Sequence, residues 1–235
     1  MGEDATAPIV AHRHAIFACP ARGSPLGDLA ARWLGRDAFT GEAVAQPDLP
    51  GIAALTAFPR RYGFHATIVA PFRAAGTIDG ARIDGALAAF AAAERPLALP
   101  LRVAMLGGFF ALVPDGPTGP LDAMAERAVR HFHPLRAAPT PEETARRRPE
   151  RLTGRQRALL ARWHYPYVLD EFRYHMTLTG PVPEPDRARI RTAIEAHFAP
   201  PILAAHGIDA LARYVEPAPD SPFTIATRSP FGDMA

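Results

Sequence analysis

Short apolar runs alternate along this chain with longer stretches in which apolar residues recur every three or four positions. Residues 12–19 (HRHAIFAC) read as a strand stopped by Pro20. A helix is predicted over 25–35, with Ser24 as its cap and Pro25 in its first turn. Residues 41–57 are punctuated by Pro and Gly and read as loop, and 62–69 read as a strand. Further helices are predicted over 78–93, 121–132, 156–163 and 185–198. Strands are predicted over 97–105 and 109–113, joined by a turn at Gly107-Gly108, and over 170–182, 208–215 and 223–227. Strand pairs and helices are mixed without a regular βαβ alternation, so the expected fold class is α+β.

Two segments of this pattern match. Residues 64–72 read FHATIVAPF and residues 174–182 read YHMTLTGPV. His, Thr and Pro recur at the same offsets, and each copy precedes a predicted helix and two predicted strands. The chain therefore carries a duplicated strand–helix–strand–strand unit. On a strand, residues two apart share a face. His65 and Thr67 then face one way, as do His175 and Thr177, and Arg61 and Arg173 fall on the same faces. Tyr62, Phe64, Ala66 and Ile68 face the other way, with Phe172, Tyr174, Met176 and Leu178 in the second copy, and this apolar face belongs to the core, Tyr62 excepted. Packed about a pseudo-twofold axis, the two polar faces would line one central cleft between two pseudo-symmetric lobes.

Such a cleft suits a phosphate. Two imidazoles can divide acid and base work near neutral pH, and two threonine hydroxyls can donate to non-bridging oxygens. Arg61 and Arg173 are candidate phosphate ligands, because guanidinium matches phosphate geometry. Tyr62 is a candidate contact, and Tyr62 and Tyr165 are the aromatics expected outside the core, where Trp33, Trp163 and Tyr167 pack. Symmetry leaves either imidazole in either role.

Composition narrows the reading. The chain has 235 residues, 48% of them hydrophobic, and a formal net charge of +2, which excludes wholesale disorder and a nucleic-acid footprint. All 26 basic residues are Arg, which removes a lysine nucleophile, a Schiff base or a P-loop. Cys19 is the single cysteine, so neither a disulfide framework nor a cysteine zinc site can form. No secretory signal or membrane span is visible, and a cytoplasmic protein is expected. Residues 1–11 read as a loose leader, with one two-lobed domain over 12–235. The Pro-, Glu- and Arg-rich connection 134–155 reads as a solvated face, and its place between the repeats also suits a cover over the cleft. His12-x-His14 is a weak metal-pair pattern, and His131-x-His133 reads as favourable charge at a helix C-terminus. No metal, cofactor or obligatory protein partner is expected.

With its paired His-x-Thr motifs, the chain resembles the two-histidine phosphoesterase superfamily. More narrowly, RHAIFACP, ARWLGRDAFTGE, RRYGFHATIVAPF, FFALVP, ARRRPERLTGRQRALLARWHYPYV and DEFRYHMTLTG resemble, in that order, the branch encoded beside bacterial phosphonate-utilisation genes. The resemblance implies two lobes around a cleft, His65 and His175 as the acid–base pair, and Thr67 and Thr177 as phosphate ligands. It further implies a metal-independent cyclic phosphodiesterase, a phosphoric diester hydrolase acting on a small phosphorylated sugar or nucleotide such as a ribose cyclic phosphate. The alternatives are an RNA-end phosphodiesterase or ligase and a non-catalytic phosphate-ester-binding subunit. Two residues depart from the branch: Val69, expected to face the cleft beside Thr67, and His14, where the branch has Tyr.

Overall fold

The structure, a computed structural model, describes residues 11–232. The leader predicted over 1–11 therefore lies, except for Ala11, outside the described residues. In chain order the elements are β1 (Arg13–Ala18), α1 (Pro25–Leu34), α2 (Ile52–Leu55), α3 (Ala57–Tyr62), β2 (Ala66–Phe72), α4 (Gly80–Ala93), β3 (Leu97–Ala98), β4 (Leu101–Leu106) and β5 (Phe109–Pro114). Then follow α5 (Gly119–Phe132), α6 (Pro141–Ala145), α7 (Gly154–Trp163), β6 (Met176–Thr177), α8 (Arg187–His197), α9 (Pro200–Ala204), β7 (Gly207–Ile208), β8 (Ala210–Glu216) and β9 (Thr224–Pro230).

The fold is α+β. Seven strands form one sheet in the order β4-β5-β6-β2-β1-β8-β9, every neighbouring pair antiparallel. The two motif strands, β2 and β6, are direct neighbours at its centre, where Ala66 pairs with Met176. The strands that follow the first motif, β4 and β5, extend the sheet beyond β6. Those that follow the second, β8 and β9, extend it beyond β1. The short strands β3 and β7, each placed just after the helix that follows a motif, pair with each other (Leu97 with Ile208). The duplicated units thus interlock in one continuous sheet.

One face of the sheet is covered. Ile16, Ala18, Ala66, Ile68, Phe110, Leu112, Met176 and Leu178 are buried there with apolar residues of α1, α4, α5 and α8. Local sequence explains the helices. Ser24 Oγ accepts the Gly27 N–H at 3.2 Å to start α1, and Gly35, at φ 76°, ends it. Capping boxes start α6 (Thr140 with Glu143) and α7 (Thr153 with Gln156).

Four expectations change. The strand predicted over 62–69 is split: α3 runs to Tyr62, Gly63 turns the chain at φ 74°, and β2 begins at Ala66. Arg61 and Tyr62 are therefore placed by a helix end, not by strand alternation. The 41–57 loop contains α2. The strand predicted over 170–182 is reduced to Met176–Thr177. A 3-10 turn over Leu169–Glu171 precedes it, and Thr179 ends it, because Thr179 Oγ1 accepts the Phe110 N–H at 2.9 Å. The 134–155 connection is not a solvated face throughout. Ala137 N–H donates to Arg73 O at 2.8 Å, and Arg73 pairs with Glu143 at 3.2 Å, which ties the segment to the end of β2. Glu143 holds α6 closed and anchors this segment at once.

Candidate functional site: a two-histidine cleft with an arginine wall

On the other face of the sheet, a cleft of about 420 Å³ lies over the junction of β2 and β6, within the size range of small-molecule sites. His65, Thr67, His175 and Thr177 all line it. The burial pattern of the two copies is the same over six residues: Phe64, Ala66, Ile68 and Val69 are buried around half-buried His65 and Thr67, and Tyr174, Met176, Leu178 and Thr179 around half-buried His175 and Thr177.

Both imidazoles are held the same way. His65 Nδ1 lies 2.9 Å from the carbonyl of Gly63, and His175 Nδ1 lies 2.8 Å from the carbonyl of Arg173, two residues upstream in each case. A carbonyl only accepts, so Nδ1 carries the proton in both rings. In the neutral ring that leaves Nε2 as a proton acceptor. Thr67 Oγ1 sits 3.3 Å from His65 Nε2 and donates to it.

The surroundings of the rings differ. His65 stacks on Phe17 with centroids 3.9 Å apart and lies near the rings of Tyr62 and Tyr214. Desolvation pulls its pKa down to about 4, against the Gly63 hydrogen bond, with a smaller push from His175 in the same direction. His65 is therefore a neutral base at pH 7. Among the described residues, the ring contact recorded for His175 is Phe109, at 6.1 Å and tilted.

Six arginines line the cleft (Arg13, Arg61, Arg73, Arg136, Arg146 and Arg147) against two acids, Glu143 and Asp220. One wall is neutralised. Arg13 forks onto Glu216 at 2.5 and 2.9 Å, and Arg61 reaches Glu216 at 2.5 Å and Asp220 at 3.0 Å. The opposite wall, built from residues 136–147 and the end of α7, holds Arg136 and Arg147, for which no ion pair is recorded among the described residues.

Of the predicted site residues, His65, His175, Thr67, Thr177, Arg61 and Tyr62 meet in this cleft. Tyr62 gets there from α3, stacked on Phe223 at 5.1 Å. Arg173 does not reach it: it precedes β6, and its Nη1 donates to the carbonyls of Asp170 (3.0 Å) and Phe172 (2.6 Å) in the preceding turn. Val69 does not face the cleft either. Between the pairs Phe17–Thr67 and Ile16–Val69, β2 has one more residue than β1. That bulge breaks the alternation and puts Val69 in the core. His14 is buried beside the Arg213 guanidinium, 3.4 Å away, a poor setting for a metal ion. Tyr165 lines the cleft, Trp33 and Trp163 are buried, and Tyr167 is exposed. His131 Nε2 donates to the Ala86 carbonyl at 3.0 Å.

Sequence reasoning missed Arg13, Phe17, Arg136, Arg147 and His164. Strand alternation from Arg13 through Ala15 to Phe17 carried a signal for the first two. No periodicity marked the others.

Comparison with known proteins adds the following. Residues 67–224 match the model of the family described as "Protein of unknown function (DUF1045)". A relative from Janthinobacterium sp. (strain Marseille), described as "Ribose 1,5-bisphosphate phosphokinase PhnN", is 40% identical over 229 residues, which is 93% of this chain and 51% of the relative. A protein of the same description from Laribacter hongkongensis (strain HLHK9) is 33% identical over 219 residues, 91% of this chain and 50% of the relative. The chain spans about half the length of these curated relatives. Their names overturn the expectation of a cyclic phosphodiesterase: both are kinases, phosphoryl transferases and not phosphoric diester hydrolases. RNA ends find no support in them. Among the described residues, no helix is long and apolar enough to cross a membrane.

Proposed function

The chain belongs to the DUF1045 family, and we propose that its cleft binds a phosphorylated pentose and handles protons at the phosphate in a phosphoryl-transfer reaction. The single observation that carries this reading is the matched pair of imidazoles. Each has Nδ1–H fixed on a backbone carbonyl and sits beside a threonine of the same motif, in a cleft whose charged lining is six arginines against two acids. Thr67 and Thr177 donate to non-bridging phosphate oxygens. Thr67, which rests on His65 Nε2 in the free cleft, turns to the phosphate and frees that nitrogen. His65, neutral and desolvated, then takes the proton of the hydroxyl that attacks phosphorus. His175, on the more open side and carrying a proton on Nε2 as well as Nδ1 for this step, gives the Nε2 proton to the oxygen that leaves phosphorus.

The pentose is suggested by the two relatives named for ribose 1,5-bisphosphate. Family and relatives also support the phosphonate-utilisation branch. The duplicated motif on adjacent antiparallel strands supports an architectural kinship with the two-histidine phosphoesterases and a single domain over 12–235. The lysine-free sequence places no P-loop in this chain, so we assign it the sugar-phosphate side of the reaction.

The test is calorimetric titration with ribose 5-phosphate and with ribose, on the purified chain and on His65→Asn and His175→Asn. Ribose 5-phosphate should bind and ribose should not, and each variant should weaken binding at least tenfold, because a phosphate at the quartet draws a proton onto the imidazoles and asparagine cannot take one. Equal binding of the two sugars, or affinities unmoved in both variants, would overturn the assignment.

A further inference from the structure

The arginine wall facing the histidines has a feature that one phosphate at the His/Thr quartet leaves unexplained. Arg136 is only 7% exposed. One of its N–H groups is accounted for: Nη1 donates to the carbonyl of Trp163 at 2.9 Å, at the C-terminal end of α7. Its Nε is buried without a partner. His164, the next cleft-lining residue, has a buried Nδ1 that is also without a partner. Arg147 lines the same wall, with its guanidinium 4.8 Å from the ring of Tyr165.

These groups repel one another. Burial lowers the pKa of His164 and Arg136 adds to it, and Arg147 adds to the burial that brings Arg136 down to about 10. No ion pair to Arg136, Arg147 or His164 is recorded among the described residues. The α7 carbonyl end favours a cation there, but it takes one hydrogen bond and leaves the orphan N–H unexplained. Buried polar groups ordinarily have partners, and an unpaired cation is the most costly kind to leave. The opposite wall contrasts in charge: Arg61 also has a buried Nε without a partner, but Arg13 and Arg61 have Glu216 and Asp220 to neutralise them. The fold keeps Arg136 in place firmly, through the Ala74–Arg136 bridge and the Ala75 N–H to Leu135 carbonyl bond. Two guanidiniums without a recorded ion pair and the unpaired imidazole of His164, in the cleft that also holds the histidine pair, suit a second anion.

We infer that Arg136, Arg147 and His164 form a second anion station, and that the ligand of this cleft is a pentose carrying two phosphates, one at the His/Thr quartet and one on the arginine wall. This rests on the phosphopentose reading and adds the number and placement of the phosphates. The second phosphate accepts from Arg136 Nε and the Arg147 guanidinium, and it supplies the negative charge that the wall lacks.

The test compares ribose 1,5-bisphosphate with ribose 5-phosphate by calorimetry, on the unmodified chain, Arg147→Gln and Arg136→Gln. The unmodified chain should prefer the bisphosphate at least tenfold. Arg147→Gln should bring that ratio to within about threefold of unity while leaving ribose 5-phosphate affinity within threefold, and Arg136→Gln should do the same. Should Arg136→Gln fail to fold, Arg147→Gln alone decides. A ratio near one in the unmodified chain, or a ratio unmoved by Arg147→Gln, overturns the second station. Those results leave the phosphopentose reading standing if ribose 5-phosphate still binds and the histidine variants still weaken it. If neither sugar phosphate binds, both readings fall.

Discussion

The two copies of the His-x-Thr motif share backbone geometry and differ in what packs against the ring. In both, Nδ1–H is fixed on the carbonyl two residues upstream. Around His65 the molecule is closed: Phe17, fully buried, lies flat on the imidazole. Around His175 it is open, with half-buried Phe109 at 6.1 Å. Duplication supplied two equivalent backbone settings, and packing made the surroundings of the two rings unequal. The largest expected effect tests that statement. Phe17→Ala should destabilise the fold by about 3–5 kcal/mol, as for removal of a buried aromatic, and raise the pKa of His65 from about 4 toward 6.5. Phe109→Ala should lower stability by about 1 kcal/mol. Urea melts and histidine ring NMR titrations read both. Equal losses in the two variants would refute the asymmetry.

The upstream residue sharpens the same comparison. Gly63 presents its carbonyl to His65 from φ 74°, and a Cβ there would stand 2.5 Å from Ala38 Cβ. Arg173 presents its carbonyl to His175 with its side chain exposed and with no such backbone demand. Gly63→Ala should therefore lower stability by roughly 1–3 kcal/mol, through strain and overpacking, and weaken ribose 5-phosphate binding by displacing His65. Arg173→Ala should change stability by no more than about 0.5 kcal/mol and leave binding unchanged. Thermal melts with and without ribose 5-phosphate separate the two, and a strong effect of Arg173→Ala would return that residue to the site.

These residues also show what the sequence made legible. The four motif side chains could be read because a two-residue period and a long-range repeat both constrain them, and the sheet keeps that period at His65–Thr67 and His175–Thr177. The α+β class followed from the same patterning. Val69 was misread because a bulge needs a partner strand to exist, and the partner, β1, lies 50 residues upstream. Arg173 was misread because the strand was drawn too long at its start: the 3-10 turn over Leu169–Glu171 holds β6 back to Met176, and Arg173 Nη1 bonds to carbonyls of that turn region instead of reaching the cleft. The arginine wall was the hardest to see. Arg136 and Arg147 sit in a stretch whose charge looks like solvent exposure, and only the Arg73–Glu143 pair and the capping boxes turn that stretch toward the cleft. Charge along a chain has no period that reports which way it faces.

The smallest effect is on pH. Burial holds His14, His65 and His206 near a pKa of 4 and lowers His133 and His164 as well, whereas each titrates near 6.5 in the unfolded chain. Between pH 7 and 5 the unfolded state therefore binds more protons than the folded one, and unfolding free energy rises with pH. Stability is full above about 6.5 and falls as the solution is acidified through this window, before carboxylates with pKa values near 4.5 contribute. His65 should account for one of the protons. Replacing it with Asn should flatten the slope by up to about 1.4 kcal/mol per pH unit. A phosphopentose bound at the His/Thr quartet should do part of the same work, because an anion beside His65 favours its protonated form and raises its folded-state pKa. Ribose 5-phosphate should then stabilise the unmodified chain more at pH 5.5 than at pH 7, and this gain should shrink in His65→Asn. Melting curves at the two pH values measure the difference directly. A ligand-induced rise in melting temperature that is the same at both pH values in the unmodified chain would mean that the bound phosphate does not sit beside His65.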